Sequence, residues 1–248
     1  MREKERSDGT AVGRTGERGY AWEQAYAEEA GYAEGDGRLT LRERKKLRTR
    51  QRISGEATLL FVRRGFDNVT VAEVARAAEV STMTVFNYFP RKEDLFLDRI
   101  PEGLALVTRA VRGREAGETP LAALRGLAFD LLARRHPLGG VGEGFANFWR
   151  TVLDSPALRA RGREAVEELE VALAGLLDEA AGGVGADGRA SEGSRLAAAL
   201  IVAAYRVAYA GAAARQLEGD LVDAVAVEQE AVLRRTFEVL ERMLPGGG

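Results

Sequence analysis

The stretch TVAEVARAAEVSTMTVFNYFP, residues 70–90, leaves few folds open. Thr70 and Glu73 form a capping box, in which the threonine hydroxyl and the glutamate carboxylate each satisfy a backbone N–H of a helix start. Val71, Val74, Ala75 and Ala78 then make an apolar stripe over two turns. After Glu79 and Val80 the hydroxyl of Ser81 caps another helix, from Thr82 to about Phe89. Pro90 ends it, because the residue before a proline avoids the helical region. Isolated helices under about 12–15 residues are marginal in water, so both must be held by packing. Val85 and Phe89, at i and i+4, face Val74 and Ala78 and supply a small core. The support lies upstream. TLRE offers Thr40 and Glu43 as a second capping box, Ile53, Ala57, Leu60 and Phe61 share one helix face, and Gly65 stops that helix.

Two short helices joined by about three residues and braced by a longer one describe a helix-turn-helix. On the third helix Thr84, Asn87, Tyr88 and Arg91 recur at i, i+3, i+4 and i+7 and share a face with hydrogen-bonding groups and little charge. Asn can bond adenine in a bidentate manner, Thr hydroxyls serve bases or phosphates, and the methyls of Met83 or Thr can pack on thymine. Taken alone, the same face is also an ordinary wet helix surface. Just upstream lie Arg38, Arg42, Arg44, Lys45, Lys46, Arg48, Arg50 and Arg52 against only Glu43, in a chain whose net charge is −2. A basic block between acidic segments predicts a localised polyanion contact. Its other reading is a solvated, charge-rich helix start.

From Arg48 to Phe96 the chain resembles the DNA-binding domain of the tetracycline-repressor (TetR) family of bacterial transcriptional regulators. Arg52, Ile53, Ala57, Leu60, Phe61, Gly65 and Phe66 are similar to the family's first helix, and Thr70, Val74, Ala75 and Ala78 to its second. Val80, Ser81, Thr84, Phe86, Tyr88, Phe89, Lys92, Glu93, Leu95 and Phe96 resemble its recognition helix and the start of its fourth. The departures are Phe86 for a usual tyrosine, Glu79 for a turn glycine and Glu56 for an alanine. The resemblance implies that Thr70, Tyr88 and Lys92 touch phosphates and that Thr82, Met83, Thr84 and Asn87 read bases. With Arg48 and Ser81 these complete the expected DNA-binding set. The cations before the first helix would lie along phosphates or enter a flanking minor groove.

Beyond Ile100 every strongly periodic segment is helical, so the fold class is all-α: an N-terminal three-helix helix-turn-helix DNA-binding domain plus a C-terminal helical ligand-binding and dimerisation domain. Residues 1–37 read as a disordered tail, 38–91 as the DNA-binding domain and 92–248 as the regulatory and dimerisation domain. Expected helices are Glu102 to Arg114, Pro120 to Arg135, Val141 to Asp154, Pro156 to Ala181, Glu192 to Gln216 and Val222 to Leu244, with GGVGADG, Gly182 to Gly188, as a break. Leu233, Phe237, Leu240 and Leu244 form a stripe on the last helix, and the alanines between Leu196 and Ala214 permit close helix approach. These predict a four-helix interface in a homodimer, or packing within one subunit. Phe145, Phe148 and Trp149 on one helix and Tyr205 and Tyr209 on another either line a cavity for a small hydrophobic or aromatic effector or are plain core.

Cysteine is absent and His136 is the single histidine, so disulfides, thiolate metal sites and His clusters are excluded. With no phosphate loop and no nucleophile–histidine–acid set, neither an enzyme nor a cofactor is expected. The acid pairs Glu167 and Glu168, and Glu228 and Glu230, read as solvated helix faces, and His136 as a cap or loop residue. The charged start MREKERSDG predicts no export, and the apolar stretch from Leu196 to Tyr205 is too short to span a bilayer, so a cytoplasmic protein is expected with no membrane partner. The reading is a ligand-responsive repressor bound as a homodimer to a palindromic operator in double-stranded DNA. A ligand-independent activator or architectural factor has the same sequence signature.

Overall fold

The computed structural model describes residues 40–183 and 189–244. The expected N-terminal tail, Arg38 and most of the GGVGADG break lie outside these residues. Among the described residues there are helices and no strands: α1 Leu41–Arg64, α2 Val71–Ala77, α3 Thr82–Tyr88, α4 Ile100–Arg112, α5 Pro120–Ala133, α6 Phe145–Asp154, α7 Pro156–Ala180, α8 Glu192–Glu218 and α9 Val222–Met243. Each of α1, α2, α3, α5, α7 and α8 begins under a Ser or Thr side chain that accepts a backbone N–H. Both capping boxes, Thr40 with Glu43 and Thr70 with Glu73, form in full.

Two starts differ from expectation. No helix runs on from Lys92; residues Glu93–Leu95 make a single 3-10 turn and α4 begins at Ile100. Pro101 explains the restart, since a proline is tolerated in a first turn but would cost a continuing helix its bond to the carbonyl of Leu97. Helix α6 begins at Phe145 and not Val141 because Gly140 and Gly144 both take positive φ, 76° and 81°, and turn the chain there. His136 caps the intervening 3-10 turn Pro137–Gly139, its Nδ1 accepting the Leu138 N–H at 3.1 Å.

The head, α1 to α3, closes on Ile53, Phe61, Phe66, Val74, Val85 and Phe89. Its core continues through Leu95 and Phe96 and takes in Val152 and Leu158 from α6 and α7. The body buries a second cluster drawn from α4, α5, α7, α8 and α9, with Val141 from the loop before α6. Helix α8 lies between α7 and α9 in this bundle. By length and composition alone α8 could cross a bilayer; one side of it buries Ala198, Ile201, Val202, Ala208 and Ala212 in the bundle.

The last-helix stripe corrects the expectation drawn from it. Leu233, Phe237 and Leu240 are 2%, 3% and 3% exposed inside one subunit, so they are core and not a surface for a partner. The stripe is indistinguishable in sequence from an interface because both need the same spacing. Glu168 is exposed, as its reading as a solvated acid expects, and also takes part in an ion pair. Its Oε1 accepts from Nη1 of the buried Arg161 at 2.9 Å, and Nε of the same guanidinium donates to Asp94 Oδ1 at 2.9 Å. This ion cluster ties the segment after α3 to α7.

Candidate nucleic-acid interface and adjoining cavity

Local bonds fix the angle between α2 and α3. The Glu73 N–H donates to Thr70 Oγ1 at 3.2 Å and the Thr70 N–H donates to Glu73 Oε2 at 2.8 Å. Arg64, at the end of α1, reaches the same carboxylate at 2.9 Å. Chiefly the Thr70 backbone N–H, then its hydroxyl and Arg64, hold the Glu73 carboxyl down to about 2. Helix α2 ends in a Schellman motif: Val80 N–H donates to Ala75 O at 2.9 Å and Glu79 N–H to Arg76 O at 3.2 Å. This places Glu79 at φ 51°, the left-handed conformation that the missing turn glycine would take without strain. Ser81 Oγ accepts the Thr84 N–H at 3.0 Å and starts α3.

With Val85 and Phe89 buried in the head, α3 turns Thr82, Met83, Phe86 and Asn87 outward. Thr84 and Tyr88 are half-buried at its flank. The Thr84 hydroxyl lies 2.8 Å from Ser81 Oγ, and Tyr88 packs on the head core. The outward face is therefore rotated from the one drawn through Thr84, Asn87 and Tyr88. Phe86, 45% exposed, also stands on this outward face and was not among the expected site residues. Its signal was present: it stands three residues after Met83 and off the Val85–Phe89 stripe. Ser81 and Thr70 are exposed at the starts of their helices.

Of the basic block, Arg42, Lys45, Lys46, Arg48 and Arg52 are exposed along α1. Arg50 is turned inward: Nη1 donates to Tyr88 O at 3.0 Å, Nη2 to Asp98 O at 3.1 Å, and the guanidinium lies 4.2 Å from the Phe89 ring centroid. It clamps the C-terminal end of α3, where carbonyls lack helical partners. Lys92 donates to Phe66 O at 2.7 Å, and its Nζ lies 4.2 Å from the Phe66 ring centroid. Partial burial lowers its pKa. Arg91 is paired with Glu164 of α7.

Beneath the head lies a cavity of about 750 Å³. Phe145, Phe148, Tyr205 and Tyr209 line it, and Gln51, Ser54, Gly55 and Thr58 of α1 close it on the head side. Trp149 is set behind the lining, edge-on to Phe148 at 5.3 Å and to Tyr209 at 5.4 Å. Phe148 also stacks on Phe96 at 5.1 Å, so one ring touches both the head core and the cavity. Burial pushes the Tyr205 phenol up to about 12 and Tyr209 higher still; both hydroxyls can donate or accept a hydrogen bond.

The family described as bacterial regulatory proteins, tetR family, matches residues 55–98, from the middle of α1 to the turn after α3. The HTH-type transcriptional regulator TcmR of Streptomyces glaucescens is 36% identical over 140 residues, 55% of this chain and 62% of that protein. The HTH-type transcriptional regulator LuxR of Vibrio harveyi is 45% identical over 49 residues, 20% of this chain and 24% of that protein. The chain thus spans less than two thirds of these relatives' own length. In fold it is like native NalD of Pseudomonas aeruginosa, the secondary repressor of the MexAB-OprM multidrug efflux pump, with a TM-score of 0.50 and 19% identity, covering 77% of this chain and 96% of that one. The matched segment contains the helix-turn-helix, its capping box and Schellman turn, and the surrounding bundle is all-α. The helix-turn-helix segment, residues 55–98, thus matches the tetR family of bacterial regulatory proteins, and the bundle around it has a fold like that of NalD.

Proposed function

We propose that this chain is a soluble, cytoplasmic transcriptional regulator, not an enzyme, that binds a palindromic operator as a homodimer and is released from it by an apolar effector. One observation carries the reading: α1 bears the exposed cations at one end and closes the cavity with Ser54 and Gly55 further along. A molecule entering the cavity would press on the helix that orients the recognition element, so effector and DNA would compete for the placement of a single rigid element. The lining favours a hydrophobic or aromatic compound that also meets a phenol hydroxyl from Tyr205 or Tyr209.

The outer face of α8 supports the dimer. Leu196, Ala203, Val207, Ala210 and Ala214 are exposed and lie along one side of the helix, Val207 with 72% of its surface free. Pairing this face would bury apolar surface that a lone subunit leaves in water, and its small residues allow close approach. A two-fold dimer places two recognition helices on successive major grooves, about 34–36 Å apart, and an effector that alters this spacing weakens operator binding.

The test combines footprinting on genomic fragments with fluorescence. A protected palindrome is expected, together with saturable quenching by an apolar ligand panel that disappears in Trp149→Phe, since Trp149 touches two lining rings. Protection insensitive to every quenching compound would remove the effector from this proposal, and a uniform footprint would remove operator specificity. Transcription from the bound promoter then separates repression from activation.

A further inference from the structure

The surface that α3 presents is unusual for what it lacks. Its sequence, TMTVFNY, contains no charged residue, and its exposed members are Thr82, Met83, Phe86 and Asn87. Met83 and Phe86 are 69% and 45% exposed at i, i+3, so two large apolar side chains stand together where a groove-reading helix meets base edges. The nearest cations do not fill the gap. Arg91 is paired with Glu164 and lies near Glu93, Lys92 is bonded to the Phe66 carbonyl, and Arg50 is bonded to the carbonyls of Tyr88 and Asp98. Arg76 is exposed but ends α2, the helix that crosses the backbone in this motif.

The commonest specific contact to guanine is a bidentate Arg or Lys on O6 and N7, whereas thymine is distinguished in the major groove by its C5 methyl. Resting on the operator-binding reading above, we infer that Met83 and Phe86 read thymine methyl groups, that Asn87 takes an adjacent adenine, and that α3 reads no guanine directly. The half-site core is then A·T pairs recognised largely by shape and apolar contact. An exposed phenylalanine and methionine gain apolar burial against thymine methyl groups. The phosphate grip comes separately from the cations of α1. Affinity and specificity therefore reside on different helices.

The experiment starts from half-sites selected out of random duplex DNA by the full-length protein. Each core thymine is then replaced by uracil, which deletes only the methyl and keeps every hydrogen bond. Burial of one methyl group is worth about 0.8 kcal/mol, which corresponds to a loss of about fourfold for each contacted thymine. In Met83→Ala and Phe86→Ala the thymine–uracil difference should vanish, each at its own position, while both variants melt as the parent does. Asn87→Ala should instead relax the preference for adenine and leave the methyl effect intact. A selected core centred on G·C pairs, or uracil substitution without effect at every position, overturns the inference. Absence of any salt-sensitive DNA binding would instead overturn the operator-binding reading itself.

Discussion

Glu79→Gly should stabilise the protein, and the size of the gain follows from one dihedral angle. Glu79 closes the Schellman motif between α2 and α3 at φ 51°. A residue with a Cβ pays about 1–2 kcal/mol for the left-handed region, where its side chain crowds the following carbonyl. Glycine occupies that region freely but loses more backbone entropy on folding, about 0.5–1 kcal/mol. The difference is a net gain of about 0.5–1 kcal/mol, or a rise of about 1–4 °C in Tm for a chain of this size. Thermal unfolding followed by circular dichroism reads the shift directly. Glu79→Ala is the control, because it removes the carboxylate and keeps the Cβ; it should give none of the gain. Equal stabilisation by alanine and glycine would refute the backbone argument and assign the effect to charge. A lower Tm in the glycine variant would mean that the turn does not take the left-handed form.

Four further outcomes are expected. The Glu73 carboxyl has a folded value of about 2 against an ordinary 4.5, so its stabilisation is complete above the ordinary value and is lost as pH falls from there toward the folded one; carbon-detected NMR should place its midpoint near 2, and Arg64→Met should move it upward. Lys92→Met should cost about 1 kcal/mol through the lost bond to Phe66 O, and if Lys92 also neutralises a phosphate the log–log salt slope of operator binding falls by about 0.9. Arg161→Met leaves Asp94 and Glu168 unpaired, and because Glu168 is half-exposed the loss should be about 2 kcal/mol, below the 3–5 of a fully buried pair; chemical denaturation measures it. Val207→Arg on the outer face of α8 should yield monomers in sedimentation equilibrium with an unchanged helical spectrum, and a persistent dimer would move the interface elsewhere.

How far the sequence could be read depended on the range of the forces at work. The head was legible because its determinants are local. Thr70 and Glu73, Ser81 and Thr84, and the stop at Pro90 act within a few residues, and the short stripe of Val74, Ala78, Val85 and Phe89 has no other surface to bury against. Even the strain at Glu79 was readable, because a turn position that wants glycine imposes its cost on any other residue. Cations were less legible. Arg50 and Lys92 differ from Arg48 only in which atoms lie within reach, and the carbonyls of Tyr88, at the end of α3, and of Phe66, at the start of the 3-10 turn after Gly65, draw them inward. No spacing rule reports those acceptors.

The body shows the same limit in its apolar residues, and there it changes the functional argument. Leu233, Phe237 and Leu240 have ideal interface spacing, yet they face α8 and α5 within the subunit, while the small outer residues of α8 remain free. An alanine-rich helix can bury either side; what decides is the size of its neighbours. Ala208 and Ala212 are buried in one cluster with Leu233, Phe237 and Leu240 of α9, and the opposite face stays exposed. The cavity follows from similar accounting. Gly55 has open space where a Cβ would stand, and Ser54 beside it is small, so α1 cannot fill the gap between the head core and the body core. The void thus lies where the two cores meet, and Phe148, packed on the head core and lining the void, links one to the other. Filling the void from the head side, by Gly55→Leu, should abolish effector quenching of Trp149 and, by occupying the space an effector would take, weaken operator binding as the effector does. If quenching survived, the effector would lie elsewhere, and the coupling through α1 would lose its basis.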